Sequence, residues 1–283
     1  MCLLIALHAM FDDAPLVVAA NRDERYERPA EAMTVLADHP RVLGGRDAVA
    51  GGTWLAVNEL GVVAGLTNRP QRGGRDPSKR SRGELPLAFA RWPDARRAVD
   101  AEAPAIDPTL YNPCWLLVGD RQALFAVDVS GGDHAEVHEL GPGAYVLENR
   151  PLGAPSAKVL HTQEALVGLA SGPDRSAALA RVLADHTVPE PLDDEAEILV
   201  PSENGEGAPR PWPPELGANC VHTDGYGTRS ALIVTVPAAP GHPTVEVADG
   251  PPCSTGFVMV DALWQPPAEV TGPTVGPLDR SGR

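Results

Sequence analysis

Cys2 directly follows the initiator methionine, and the dense polar run Asn21-Arg22-Asp23-Glu24 follows the apolar stretch Leu16–Ala20. Aminopeptidases remove a leading methionine when the next residue is small, as cysteine is. Cys2 would then carry both a thiol and a free α-amine. That amine has an ordinary pKa of about 7.7–8.0, so part of it is neutral near pH 7 and can take the thiol proton. One residue then supplies nucleophile and base. A nearby cation favours thiolate, and Arg22 is the candidate; Asp23 is the candidate acceptor that orients the amine. A developing oxyanion needs neutral donors, and Asn68 in GLTNRP and Asn149 in VLENRP each follow a strand-like run. Arg229 in GYGTRSALIV opens an apolar strand, where a charge at a core edge needs a partner. Each residue also has an ordinary reading: turn asparagines, a surface arginine, a cysteine second by accident.

Other chemistries find less support. His134 and His138 bracket Glu136 on one strand face, which reads as a solvated face, and no metal site is expected. His222 lies near Asp224, but no GxSxG elbow accompanies them. Gly44-Gly45 and Gly51-Gly52 predict tight backbone geometry; without GxxxxGK[ST] they are no phosphate loop. The cysteines Cys2, Cys114, Cys220 and Cys253 form no CxxC pair, which disfavours a zinc ribbon or a thioredoxin-like site. The last three are expected to be buried, and no cofactor is expected.

The formal charge of −15 repels phosphate backbones and sets nucleic acid aside as a partner. The local basic run Arg72, Arg75, Lys79, Arg80 and Arg82 reads as a solvated loop or as the anion-attracting mouth of a pocket. The N-terminal apolar run lacks a basic flank and soon meets Asp12 and Asp13, unlike a signal peptide. No stretch is long enough to span a bilayer. A cytoplasmic protein acting on a small molecule is the expectation.

The elements that position these residues read as strands joined by hairpins. Cys2–Ala9 and Leu16–Ala20 flank a polar turn, and TWLAV and VVAGLT flank Asn58–Gly61, with Gly61 at the turn. Ser81 and Glu84 resemble a capping box for a helix over RGELPLAFARW, and Pro93-Asp94 opens a second helix. CWLLVGD, ALFAVDV, HAEVHEL and AYVLEN read as strands. SAKVLHTQEALVGLA and DRSAALARVLADH have helical spacing. A long loop runs from Thr187 to Gly217, and TRSALIVTV, TVEVAD and GFVMV are late strands. Clustered strands and helices without βαβ alternation predict an α+β fold of packed antiparallel sheets flanked by helices. One domain is expected over residues 1–264, with a Pro/Gly-rich disordered tail over 265–283.

The leading MC, then AANRDERYERP, GGRDAVAGGTWLAVN, GLTNRP, RSRGELPLAF and HTDGYGTRSALIV, in this order, resemble the NRDE family, also called the transport-and-Golgi-organisation 2 family. The likeness runs from residue 1 to about residue 236. It implies the N-terminal-nucleophile hydrolase fold, a four-layer αββα sandwich, similar to the superfamily of penicillin V acylase and bile salt hydrolase. By that likeness Cys2, Arg22, Asp23, Asn68, Asn149 and Arg229 are the catalytic set. Asn21, Glu24, Trp54 and Thr67 are expected to contact substrate. The implied reaction is hydrolysis of a non-peptide amide through a thioester. In those hydrolases two residues separate the arginine from the aspartate, whereas Arg22 and Asp23 are adjacent. On a continuing strand they face opposite ways, so the working pair is left open between Asn21 with Asp23 and Arg22 with Glu24. Asn149 also sits in a divergent context, before Lys158. The family's links to lipid metabolism and haem trafficking imply a rival function, a non-catalytic haem or lipid carrier.

Overall fold

The computed structural model describes residues 3–71, 74–172, 174–193, 199–200, 210–211 and 213–265. Cys2, Arg72, most of the long loop after Thr187 and the expected tail beyond Gln265 lie outside them. In chain order the elements are β1 (Leu3–His8), β2 (Leu16–Arg25), β3 (Ala30–Asp38), β4 (Arg41–Asp47), β5 (Leu55–Asn58) and β6 (Val63–Asn68). Then follow α1 (Glu84–Ala90), α2 (Ala95–Glu102), β7 (Cys114–Gly119), β8 (Leu124–Val129), β9 (Glu136–Leu140) and β10 (Gly143–Leu147). The chain continues with α3 (Ala157–Leu166), α4 (Asp174–Leu183), β11 (Leu199–Val200), β12 (Arg210–Pro211), β13 (Tyr226–Val236), β14 (Thr244–Ala248) and β15 (Val258–Met259).

The first sheet has the order β10-β1-β2-β13-β14-β15 and the second runs β3 to β9 in sequence; β11 pairs with β12 separately. Side-chain alternation sorts the residues into layers. Leu4 and Ala6 of β1 pack between the sheets with Leu55, Val63 and Leu117. Leu3, Ile5 and Leu7 face the other way, onto Leu166 of α3 and Leu179 of α4. On the far side of the second sheet, Ala64, Leu116 and Phe125 meet Phe89 of α1 and Val99 of α2. These three cores make the molecule a four-layer αββα sandwich of class α+β. Burial of a side chain such as Leu3 or Ile5, both fully enclosed, contributes about 1.5–3 kcal/mol.

The expected hairpins β1–β2 and β5–β6 are present. Gly61 takes φ +102° at the second turn, a conformation that favours glycine. A Cβ on Gly45 would collide with the indole of Trp54, so the tight geometry expected there makes room for that ring. Three expectations need correction. The strand expected over Leu16–Ala20 does not end there but continues through the polar run to Arg25. Ser81 does not cap α1: the N-cap is Gly83, and Glu84 instead pairs with Arg80 and Tyr111. Cys253 is exposed, whereas Cys114 and Cys220 are buried. β3 was not foreseen; its residues alternate weakly and none is fully buried. Among the described residues no helix is long and apolar enough to cross a membrane.

Candidate active site

The start of β1 is where the candidate residues gather. Leu3 pairs with Asn21 of β2, and Leu4 pairs with Leu147 of β10. One residue beyond Asn21 stands Arg22 on one flank, and two residues beyond Leu147 stands Asn149 on the other. Cys2 itself lies outside the described residues.

The continuation of β2 splits Asn21-Arg22-Asp23-Glu24 between two faces. Val17 and Ala19 face the α3/α4 layer, and Asn21 and Asp23 follow their parity. Asn21 Nδ2 donates to the carbonyls of Leu183 and Asn219, each at 2.8 Å. Asp23 Oδ1 accepts from the hydroxyl of Thr228 at 2.6 Å, and the Asp23 carbonyl accepts from Tyr226 Oη at 2.9 Å. Arg22 has the other parity, and its guanidinium lies 4.5 Å from the Trp54 ring centroid. Glu24 turns to its own strand end: it accepts from the Arg25 amide at 2.8 Å and lies 3.7 Å from Arg28 Nε. The adjacent arginine and aspartate therefore point apart.

Behind the sheet, Asp23 belongs to an enclosed polar group with Lys158, Thr162, Asn219 and Thr228, all buried. Burial pushes the Asp23 carboxyl above the usual range, opposed by the charge of Lys158, the Thr228 hydroxyl and the charge of Arg22. Asp23 Oδ2 and Lys158 Nζ have no hydrogen-bond partner among the described residues. A buried ammonium is tolerated only near a compensating charge, and Asp23 supplies one. Lys158 was not picked out as a site residue from the sequence. The signal was its spacing: Lys158, Thr162 and Leu166 occupy the buried stripe of α3, a placement a lone lysine rarely has.

Between the sheets the site opens into a cleft lined by Arg22, Glu31, Trp54, Arg229, Ser230 and Asp249. Arg229 is the extra residue where the β2–β13 register shifts between Thr228 and Ser230, a β-bulge that re-aims a side chain. Its Nη1 donates to the carbonyl of Arg25 at 3.1 Å and to that of Tyr26. Thr67 pairs with Trp115 across β6–β7; Thr67 Oγ1 and Trp115 Nε1 are buried without a partner among the described residues. Asn149 Oδ1 is in the same condition. Alternation puts Thr67 on the inter-sheet face with Val63, and Asn68 on the opposite face, across from Cys114. The chain thus brings Arg22, Trp54, Arg229 and Asp23 to the end of the β2–β13 pair. Asn149 stands at the end of β10, whereas Asn68 looks toward α1.

A family model, Transport and Golgi organisation 2, matches residues 1–246. The chain is 33% identical over 242 residues to the Transport and Golgi organization protein 2 homolog of Bos taurus, covering 81% of this chain and 84% of that protein. It is 31% identical over 240 residues to the Homo sapiens homolog, with the same coverage. Among solved structures it resembles the Caenorhabditis elegans N-acylethanolamine-hydrolyzing acid amidase ortholog, with a TM-score of 0.51, 12% identity, and coverage of 84% of this chain and 94% of that one. At that identity the likeness bears on the fold alone, and the fold is that of N-terminal-nucleophile hydrolases. The ordered motifs from the leading cysteine to GYGTRS have their explanation in common descent, and the chain belongs to the Transport and Golgi organisation 2 family.

Proposed function

We propose that the protein is an N-terminal cysteine amidohydrolase that cleaves a non-peptide amide of a small acylated molecule. The observation that carries this reading is the convergence of two registers. Arg22 flanks the start of β1 on one side and Asn149, with a partnerless buried oxygen, on the other. An inter-sheet cleft opens beside them. In this reading the Cys2 sulfur attacks the carbonyl carbon after its proton passes to the α-amine. The tetrahedral oxyanion is met by the side-chain N–H of Asn149; Asn68, on the far face of its sheet, takes no part. The C–N bond breaks, the amine leaves with the proton, and a thioester remains. Water then attacks the thioester, releasing the acid and restoring the thiol.

The other residues support this chemistry. Arg22 favours the thiolate, and stacking on Trp54 holds its guanidinium in place. Asp23, buried and bonded to Thr228, orients the amine. Asn21 fixes the strand that carries both. Trp54 and Thr67, on the inter-sheet face, contact the substrate, and Arg229 at the cleft mouth attracts a negative group, while Glu24 is held at the strand end by Arg28. The amidase likeness agrees with an amide as substrate class.

The test is paired. Wild type and Cys2→Ser are compared for hydrolysis of a chromogenic acyl-amide panel and for binding of haem and of a fatty acid. The expected result is a protein lacking Met1 by intact mass, a covalent acyl adduct on Cys2, and turnover lost in the serine variant. Retained Met1, or ligand binding that survives the substitution with no hydrolysis by either protein, moves the assignment to a haem or lipid carrier.

A further inference from the structure

Away from the cleft, four side chains from three separate loops meet. His186 follows α4, Cys220 and His222 precede β13, and Cys253 lies in the β14–β15 connection. Their donor atoms all lie within 4.8 Å of one another. His222 Nε2 is 3.3 Å from Cys253 Sγ and 3.7 Å from Cys220 Sγ. The rings of His186 and His222 are 5.1 Å apart. Zinc binds thiolate at about 2.3 Å and imidazole at about 2.0–2.1 Å, which puts tetrahedral ligands roughly 3.3–3.8 Å from one another. Both sulfur–nitrogen separations already fall in that range. The widest separation needs to close by about 1 Å, and His186 and Cys253, both exposed, have the freedom to do so.

We propose that His186, Cys220, His222 and Cys253 form a structural zinc site of the two-cysteine, two-histidine class. Thiolate and imidazole donors in equal number suit zinc. The support around them suits it too. His186 Nδ1 donates to the Cys220 carbonyl at 2.9 Å, so the neutral ring presents Nε2 outward as a ligand. The Cys220 amide donates to the Asp185 carbonyl at 2.8 Å, which locks the two loops together. Binding releases two thiol protons to solvent, and two thiolates neutralise the divalent ion.

Spacing alone hid the group, because no two of its residues make a CxxC or HxxH pair and Cys253 is distant in sequence from the others. The consequence is structural. Val221, between two ligands, exchanges hydrogen bonds with Thr228: its amide donates to Thr228 Oγ1 and its carbonyl accepts from the Thr228 amide. Thr228 in turn donates to Asp23. The ion would therefore brace the loop that leads into the candidate active site, and the inference stands whether or not that site is catalytic.

The experiment uses the untagged full chain, purified under reducing conditions and loaded with zinc. We expect about one tightly held equivalent per chain after dialysis. Cobalt substitution should give tetrahedral visible bands with a thiolate charge-transfer band. Cys253→Ser sits on the surface and should fold, but it should lower zinc affinity by more than the roughly 10–100-fold cost of losing an outer-shell partner. A chelator should lower the wild-type Tm and leave that of Cys253→Ser unchanged. His186→Gln gives an independent second variant with the same expected loss. No zinc uptake by the reduced chain, uptake that Cys253→Ser leaves intact, or a Cys220–Cys253 disulfide whose reduction restores no uptake would each overturn the proposal.

Discussion

The two faces of β2 at its C-terminal end make an instructive contrast. On the helix side, Asn21 and Asp23 are sealed in a polar group with Lys158, Asn219 and Thr228, and most of the donors and acceptors find protein partners. On the cleft side, Arg22 rests on Trp54, and Arg229 reaches the strand end through backbone carbonyls. The sealed face resembles a framework, where each polar atom is costly to strand. The open face resembles a recognition surface, where side chains can exchange partners with water or ligand. A four-residue polar run serves both because strand alternation deals its members to opposite sides. Substitutions on the two faces should therefore separate stability from ligand recognition.

The largest effect is expected at Lys158. Lys158→Met keeps the volume and removes the charge that compensates buried Asp23. Stranding one member of a buried pair costs about 3–5 kcal/mol. Urea unfolding should show that loss, and Asp23→Asn combined with Lys158→Met should recover much of it. A single-variant loss below about 1 kcal/mol would mean that the two charges do not compensate each other. Next is Asn21→Ala, which leaves the Leu183 and Asn219 carbonyls without their donor. A loss of about 1–3 kcal/mol is expected, measured by the same unfolding curve. Equal loss from a cleft-side change such as Arg229→Ala would erase the contrast.

A third effect is a pH slope carried by Asp23. Burial raises its folded-state pKa above the unfolded value of about 3.9, against the pull of Lys158 and Arg22. Between those two values the unfolded chain is ionised while the folded one keeps its proton. The unfolded state then binds fewer protons, so stability falls as pH rises through that window. Relative to Asp23→Asn, the wild type should lose stability as pH climbs from about 4, and the two curves should converge toward acid. Parallel curves over the whole range would show that Asp23 does not titrate differently in the two states.

Much of this architecture could be read from the chain because hairpins and amphipathic helices announce themselves locally. TWLAV-NELG-VVAGLT contains both strands and the glycine its turn requires, and Ser156 and Asp94 cap α3 and α2 through their own side chains. The candidate residues could be named from the sequence, and opposite faces for Arg22 and Asp23 were an open alternative, but which of them faces the cleft was not legible. Whether Arg22 or Asp23 looks into the cleft depends on β2 continuing past Ala20, and a polar run gives no hydrophobic alternation to reveal that. Lys158 was passed over because its partner is far away in sequence, on β2. Ser81 misled because the capping pattern lost to Glu84's other partners, the neighbouring Arg80 and the distant Tyr111. The four-residue metal group was invisible for the same reason as Lys158: its three loops, after α4, before β13 and between β14 and β15, meet only once the first sheet and its helix layer have assembled.

The smallest stability effect, and the sharpest functional one, is expected at Arg229. Its side chain is half-buried, and its bonds to the carbonyls of Arg25 and Tyr26 lie at the surface. Bonds shared with water contribute little, so Arg229→Ala should cost no more than about 1 kcal/mol. The bulge that presents it is a backbone feature of the Thr228–Ser230 register shift and should survive the change. Without the guanidinium, however, the cleft mouth retains Glu31 and Asp249 and turns acidic. An anionic acyl ligand should then bind at least about tenfold more weakly, the equivalent of about 1.4 kcal/mol, while a neutral analogue of the same shape should bind as before. Arg229→Lys, which keeps the charge and loses the planar fork, should fall between the two. Titrating both ligands against the three proteins gives the answer. Equal weakening for charged and neutral ligands would make Arg229 a packing residue of the framework and move it to the other side of the comparison.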